Sequence, residues 1–202
     1  MNKTLTISAT ALAAIIALAG CSTTPGSNPG STMAGMGNGT TAASSRPAAA
    51  DAGHNGTDTL FAQGMIPHHA QAVEMSETML AKQGADARIK ALATKIKAAQ
   101  GPEIEKMTGW LTAWNEPAQM AGGHAMSGMM GDDDLKRLDA AQGNEAAKLF
   151  LQQMIAHHGG AVEMANAEVR SGENADAVRL GRDIASAQTR EIADMKQLLA
   201  AL

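Results

Sequence analysis

A fifteen-residue motif occurs twice in the chain: Phe61-Ala-Gln-Gly-Met65-Ile-Pro-His68-His69-Ala-Gln-Ala-Val73-Glu74-Met75 and, 89 residues later, Phe150-Leu-Gln-Gln-Met154-Ile-Ala-His157-His158-Gly-Gly-Ala-Val162-Glu163-Met164. A repeated unit buries its apolar face by stacking on its copy, so the duplication confines the fold to two equivalent halves. The repeat runs on: Ile96, Gln100, Glu103, Ile104, Met107 and Leu111 match Ile184, Gln188, Glu191, Ile192, Met195 and Leu199 at a spacing of 88. The one-residue slip falls near Gly84 and Gly172, where a helix should end. Each repeat therefore reads as a helix, a glycine-containing turn and a second helix. Two such αα-hairpins predict an all-α four-helix bundle.

Residues 58–202 form the expected bundle domain, with repeats 58–115 and 144–201 and a Met-rich connection at 116–133. Ala, Leu, Met, Glu, Lys and Gln dominate it, tyrosine is absent, and apolar positions recur at three and four rather than two. The pattern places helices at 58–83, 86–115, 144–171 and 174–201, and a short helix at 134–141 capped by Asp132 to Asp134. Pro67 should kink the first helix, where it removes a backbone donor; Ala156 stands in the matching place.

The first 20 residues carry Lys3, an apolar run from Leu5 to Leu18 and the sequence Leu18-Ala19-Gly20-Cys21, the flanks and length of a signal peptide. The last four resemble a bacterial lipobox, which implies cleavage before Cys21 and a lipid on its thiol. The chain is then exported and anchored by lipid at the cell envelope, on the outer membrane facing the periplasm or on the cell surface. Residues 21–57, rich in Gly, Ser, Thr, Pro and Ala, read as a tether that cannot bury enough surface to order itself. Met33, Met36 and His54 fall within it. With the single cysteine used as an anchor, neither a disulfide nor a cysteine metal site is available. A net charge of −4 with charges interspersed leaves no basic footprint for nucleic acid.

At about 100° per residue, Met65, His68, His69, Ala72, Met75, Ser76 and Met79 share the inward side of the first helix. In the second copy that side carries Met154, His157, His158, Ala161, Met164, Ala165 and Glu168, while Glu74 and Glu163 point outward. Methionine on an inward stripe serves equally as core filler. Adjacent buried imidazoles are different, because an unpaired buried polar group costs about 1 to 3 kcal/mol and calls for a partner. Thioether with neutral imidazole suits Cu(I) and, by the same softness, Ag(I), with Cu(II) as an alternative state. A di-iron carboxylate bundle would need Glu-x-x-His, yet Met65 and Met154 stand where those glutamates would be.

The connection holds Met120, His124, Met126, Met129 and Met130 among glycines. Methionines in a Gly-rich loop have no helical core to fill, which adds them to the candidate ligands beside an apolar-lid alternative. Thioethers do not protonate, so such a site keeps Cu(I) at acidic pH, where imidazole with an ordinary pKa of ~6.5 is lost. Trp110 and Trp114, one turn apart, read as packing residues.

The segments Met65 to Met75 and Met154 to Met164 resemble the exported bacterial family of domain of unknown function 305, over residues 58–202. The resemblance implies a ferritin-like four-helix bundle, and copper binding or copper tolerance outside the cytoplasm. It carries over Met65, His68, His69, Met75, Met154, His157, His158 and Met164 as ligands. The resulting expectation is a copper-binding protein, not an enzyme, that sequesters copper or passes it to efflux or delivery proteins. Two alternatives stand beside it: a copper-dependent redox protein or oxidase, and a structural helical module of the envelope whose His and Met merely pack.

Overall fold

The computed structural model describes residues 53–120 and 126–202. Five helices make up the fold: α1 (Gly56–Ala81), α2 (Ala87–Ala113), α3 (Asp132–Ala140), α4 (Gly143–Ser171) and α5 (Ala175–Ala200). Strands are absent among the described residues. The hairpins α1–α2 and α4–α5 are the two repeats, and α1 packs on α4 across them, with the short α3 laid mainly on α4. The result is the expected four-helix bundle.

Local chemistry sets the helix ends. Asn55 caps α1 by accepting from the backbone N–H of Thr57 and Asp58, and Asp58 returns a bond to the Asn55 N–H at 2.6 Å. Asp86 and Asn174 cap α2 and α5 in the same way. Helix α3 departs from expectation: its cap is Gly131, without a side-chain bond, and Asp132, Asp133 and Asp134 occupy the first turn. There they act on the positive end of the helix dipole rather than as caps. Helix α1 continues through Pro67, and α2 likewise through Pro102. Gly84 has φ +67 in the turn after α1, a conformation that favours glycine. Gly172 has φ −70 and serves differently: a Cβ there would lie 2.2 Å from a Glu168 carboxyl oxygen.

The core is divided. One apolar cluster contains Met75, Met79, Ile89, Ile96, Phe150 and Met154; the other contains Phe61, Met65, Met107, Leu111, Ala161 and Ile184. Each of the four long helices contributes to both clusters, and between its two contributions each places polar side chains. These are His68 and His69 on α1, Gln100 and Glu103 on α2, His157 and His158 on α4, and Gln188 and Glu191 on α5, all buried except Glu103. The repeat thus builds a polar layer across the middle of the bundle.

Candidate metal centre

Because α1 and α4 run antiparallel in contact, their motifs meet at one level. The rings of His68 and His157 lie with centroids 3.8 Å apart, tilted by 43°. The second histidine of each pair turns toward its own hairpin partner. His69 Nε2 donates to Glu103 Oε2 at 2.8 Å, and His158 Nε2 donates to Glu191 Oε2 at 2.9 Å. These two bonds are related by the repeat and leave each Nδ1 with a free lone pair. A carboxylate that holds one ring nitrogen while the other faces a metal is the usual support of a ligating histidine. Lys95 Nζ lies 3.4 Å from the other oxygen of Glu191. Burial opposes ionisation of Glu191, but His158 and Lys95 hold its carboxyl below the ordinary range.

The nitrogens are under-used. Nδ1 of His68, His69 and His158 and both nitrogens of His157 are buried without a hydrogen-bond partner in the protein. Burial lowers the His68 imidazole to about 4 and the His157 imidazole to about 2. Both are therefore neutral near neutral pH, the form that ligates metal. Among the described residues no three His, Asp or Glu side chains form a metal cage, so a full coordination sphere must include other donors.

The connecting segment covers this layer. Ser127 accepts a hydrogen bond from His68 Nε2 at 3.2 Å through its carbonyl, and Gln71 exchanges two bonds with the Met130 backbone, at 2.7 and 2.9 Å. Glycine makes the approach feasible on the α4 side. A Cβ on Gly160 would stand 1.8 Å from the Ser127 carbonyl oxygen, and Gly128, at φ +81, rests on the backbone of Ala156 and His157. Positions 71 and 160 correspond in the two motifs. One holds the segment by hydrogen bonds and the other by having no side chain.

The candidate methionines separate into groups. Met75, Met79 and Met154 lie buried in one apolar cluster and Met65 in the other. Met79 is ten residues beyond His69, roughly 15 Å along the helix. Met130 packs at the edge of the first cluster, and Met129 is half-buried. Met164, Met126 and Met120 meet over Gly64 on α1: from the point where a Cβ would be, Met164 Sδ is 3.4 Å away, Met126 Sδ 3.7 Å and Met120 Cε 3.9 Å. His124 and Cys21 lie outside the described residues, as do Met33 and Met36. His54 is not loose tether: it stacks on Trp114 at 4.6 Å, and Trp114 stacks on Trp110 at 5.8 Å. Glu74 and Glu163 are exposed, in line with the helical wheel.

Glu103 and Glu191 escaped the reading of the motif alone, although their match at a spacing of 88 was a visible signal. A buried acid pair, Asp58 with Glu168, closes one end of the bundle. Asp58 accepts from the backbone N–H of Glu173 and Asn174, joining the start of α1 to the α4–α5 turn. Glu168 has no exposed surface.

A doubled His-His motif meeting across two αα-hairpins defines a class of helical bundle. The chain belongs to the family described as domain of unknown function (DUF305), which it matches over residues 58–199. Among solved structures it is similar to a DUF305 protein from Streptomyces coelicolor described as secreted. The identity is 34%, over 72% of this chain and 93% of that one, with a TM-score of 0.69. It is also similar to CopM in its Cu(I)-bound form, at 34% identity over 71% of this chain and 96% of CopM, with a TM-score of 0.61. CopM in an Ag-bound form matches at 32% identity over 71% and 95% of the two chains, with a TM-score of 0.60. No curated protein matches the chain.

Proposed function

We propose that this protein binds Cu(I), and by the same chemistry Ag(I), through imidazole and thioether at the junction of its two repeats. The observation that carries the reading is the facing pair His68 and His157, 3.8 Å apart and buried with unpartnered nitrogens. Three of the four ring nitrogens of this pair, His68 Nδ1 and both of His157, lack the hydrogen-bond partner that a buried polar group normally has. A soft cation would supply the missing partner, and drawing in His69, His158 or a thioether as a further donor would require side chains to turn, since among the described residues no three of the histidines form a cage as they stand. The similarity to CopM, solved with Cu(I), Cu(II) and Ag, supports the same metal class.

The role that follows is sequestration or delivery rather than turnover. Copper would be taken up outside the cytoplasm by a chain exported through its first 20 residues, anchored at Cys21 and tethered through the residues between Cys21 and Gly53. Release would be to copper efflux or delivery proteins. The test is anaerobic Cu(I) titration against a competing chelator, comparing the parent with a His68→Ala/His157→Ala variant. Loss of affinity by tenfold or more, about 1.4 kcal/mol, supports the reading. Unchanged stoichiometry and affinity removes the central layer from it.

A further inference from the structure

The two repeats are not equivalent where methionine is concerned. Gly64 and Gln153 occupy the same place in the motif, as do Met75 and Met164. In one half, Gln153 is buried and donates to the Asp134 carbonyl at 2.8 Å, and Met75 is 1% exposed. In the other half the long side chain is absent. Met164, half-buried, reaches over Gly64, where Met126 and Met120 from the connection join it.

Packing does not require that glycine. An alanine Cβ at 64 would meet the nearest sulfur at 3.4 Å, an ordinary contact. This differs from Gly160, whose Cβ would collide with the Ser127 carbonyl oxygen at 1.8 Å. Glycine inside a helix is less favourable than alanine, so α1 carries that cost at Gly64 without a steric reason. What the missing side chain leaves is a methyl-sized gap bordered by the sulfurs of Met164 and Met126 and the methyl of Met120. Beside it a cleft of about 400 Å³, lined by Gln63, Ile66, Pro67, Gln119, Met120 and Met126, opens to solvent.

From this we infer that Met120, Met126 and Met164 form a thioether-only site for a soft monovalent cation, separate from the imidazole layer and present in one repeat only. Gly64 is the residue that keeps it open. The connection supplies two of the sulfurs and α4 the third, so the cation ties the connection to the bundle. Thioethers are neutral and discriminate against hard cations, which makes the site selective for soft ones. The inference rests on the copper-binding reading.

The experiment is titration of Ag(I), a redox-inert soft probe, into the full chain in detergent, with Cys21→Ser so that its thiol cannot compete. Methionine methyl groups are followed by NMR. Met120, Met126 and Met164 methyl resonances should shift together, and Met120→Leu/Met126→Leu/Met164→Leu, a swap that roughly preserves volume, should bind about one equivalent fewer. Gly64→Gln should suppress the same three shifts while uptake dependent on His68 and His157 remains. If the leucine variant keeps full stoichiometry, or the three methyls shift independently or not at all, the inference is overturned. Loss of all uptake in the leucine variant overturns the separateness of the site. Absence of Ag(I) uptake by the Cys21→Ser parent defeats the copper-binding reading itself, an outcome distinct from these.

Discussion

His68 and His157, contributed by equivalent positions of the two repeats, face each other across the middle of the bundle with ring centroids 3.8 Å apart. Neither nitrogen of His157 has a hydrogen-bond partner in the protein. Metal-free protein should therefore gain stability when this ring is replaced by an apolar one. We expect His157→Leu to raise metal-free stability by about 1 to 3 kcal/mol and to diminish the upward shift of Tm that Cu(I) gives the parent. Thermal melts with and without Cu(I) check both halves; a metal-free loss of stability would show that the ring packs for its own sake.

The carboxylates that hold His69 and His158 should matter to metal without touching it. Glu191→Ala leaves the His158 Nε2–H without its acceptor, as Glu103→Ala does for His69. Each should weaken Cu(I) binding by roughly 10-fold to 100-fold, measured by chelator competition. Equal affinity in both variants would separate the second histidine of each pair from the metal.

Adjacent glycines on α4 should respond in opposite senses. Gly159 has open space where a Cβ would go, whereas Gly160 meets the Ser127 carbonyl oxygen. Gly159→Ala should be neutral or stabilising by about 0.5 to 1 kcal/mol. Gly160→Ala should destabilise by about 1 to 3 kcal/mol and loosen the connection, read as urea midpoints and protease susceptibility near residue 127.

Glu168 predicts a pH dependence. Burial, then the hydrogen bond and charge of Asp58, raises its carboxyl from 4.5 to about 8. Between those values the folded state holds a proton that the unfolded chain has released. Its contribution to stability is complete below pH 4.5, falls as pH rises between the two values and is gone above about 8. The slope approaches about 1.4 kcal/mol per pH unit. Asp58, whose carboxyl is lowered despite burial by N–H donors from Asn55, Glu173 and Asn174 and by the Glu168 carboxyl, acts in the opposite sense at acid pH. Glu168→Gln should flatten the stability curve between pH 4.5 and about 8, measured by urea unfolding. A curve of unchanged steepness would place the dependence elsewhere.

Periodicity and repetition carried most of the fold. The stripe from Phe61 to Met79 is buried as its 100° spacing required, and the helix ends fall within about two residues of the places set by Gly84, Gly172 and the capping side chains. The level at which the two His-His pairs meet was not legible, because it depends on how α1 slides against α4, and no local pattern encodes that register. For the same reason Met65, Met75, Met79, Met154 and Met164 looked alike on the wheel, yet Met164 alone faces a glycine across the helix interface. The convergence of Met120 and Met126 with Met164 joins the connection to a helix position about 40 residues further along the chain. Gly160 was a visible departure from Gln71 in the other copy, but only contact with Ser127 gives it meaning.

The most direct test of the central claim is X-ray absorption at the copper edge of the Cu(I)-loaded chain, in the parent and in His68→Ala/His157→Ala. A mixed shell of nitrogen and sulfur in the parent, with the nitrogen scattering diminished in the double variant, is the predicted result. A shell without sulfur, or one that the two substitutions leave unchanged, would contradict it.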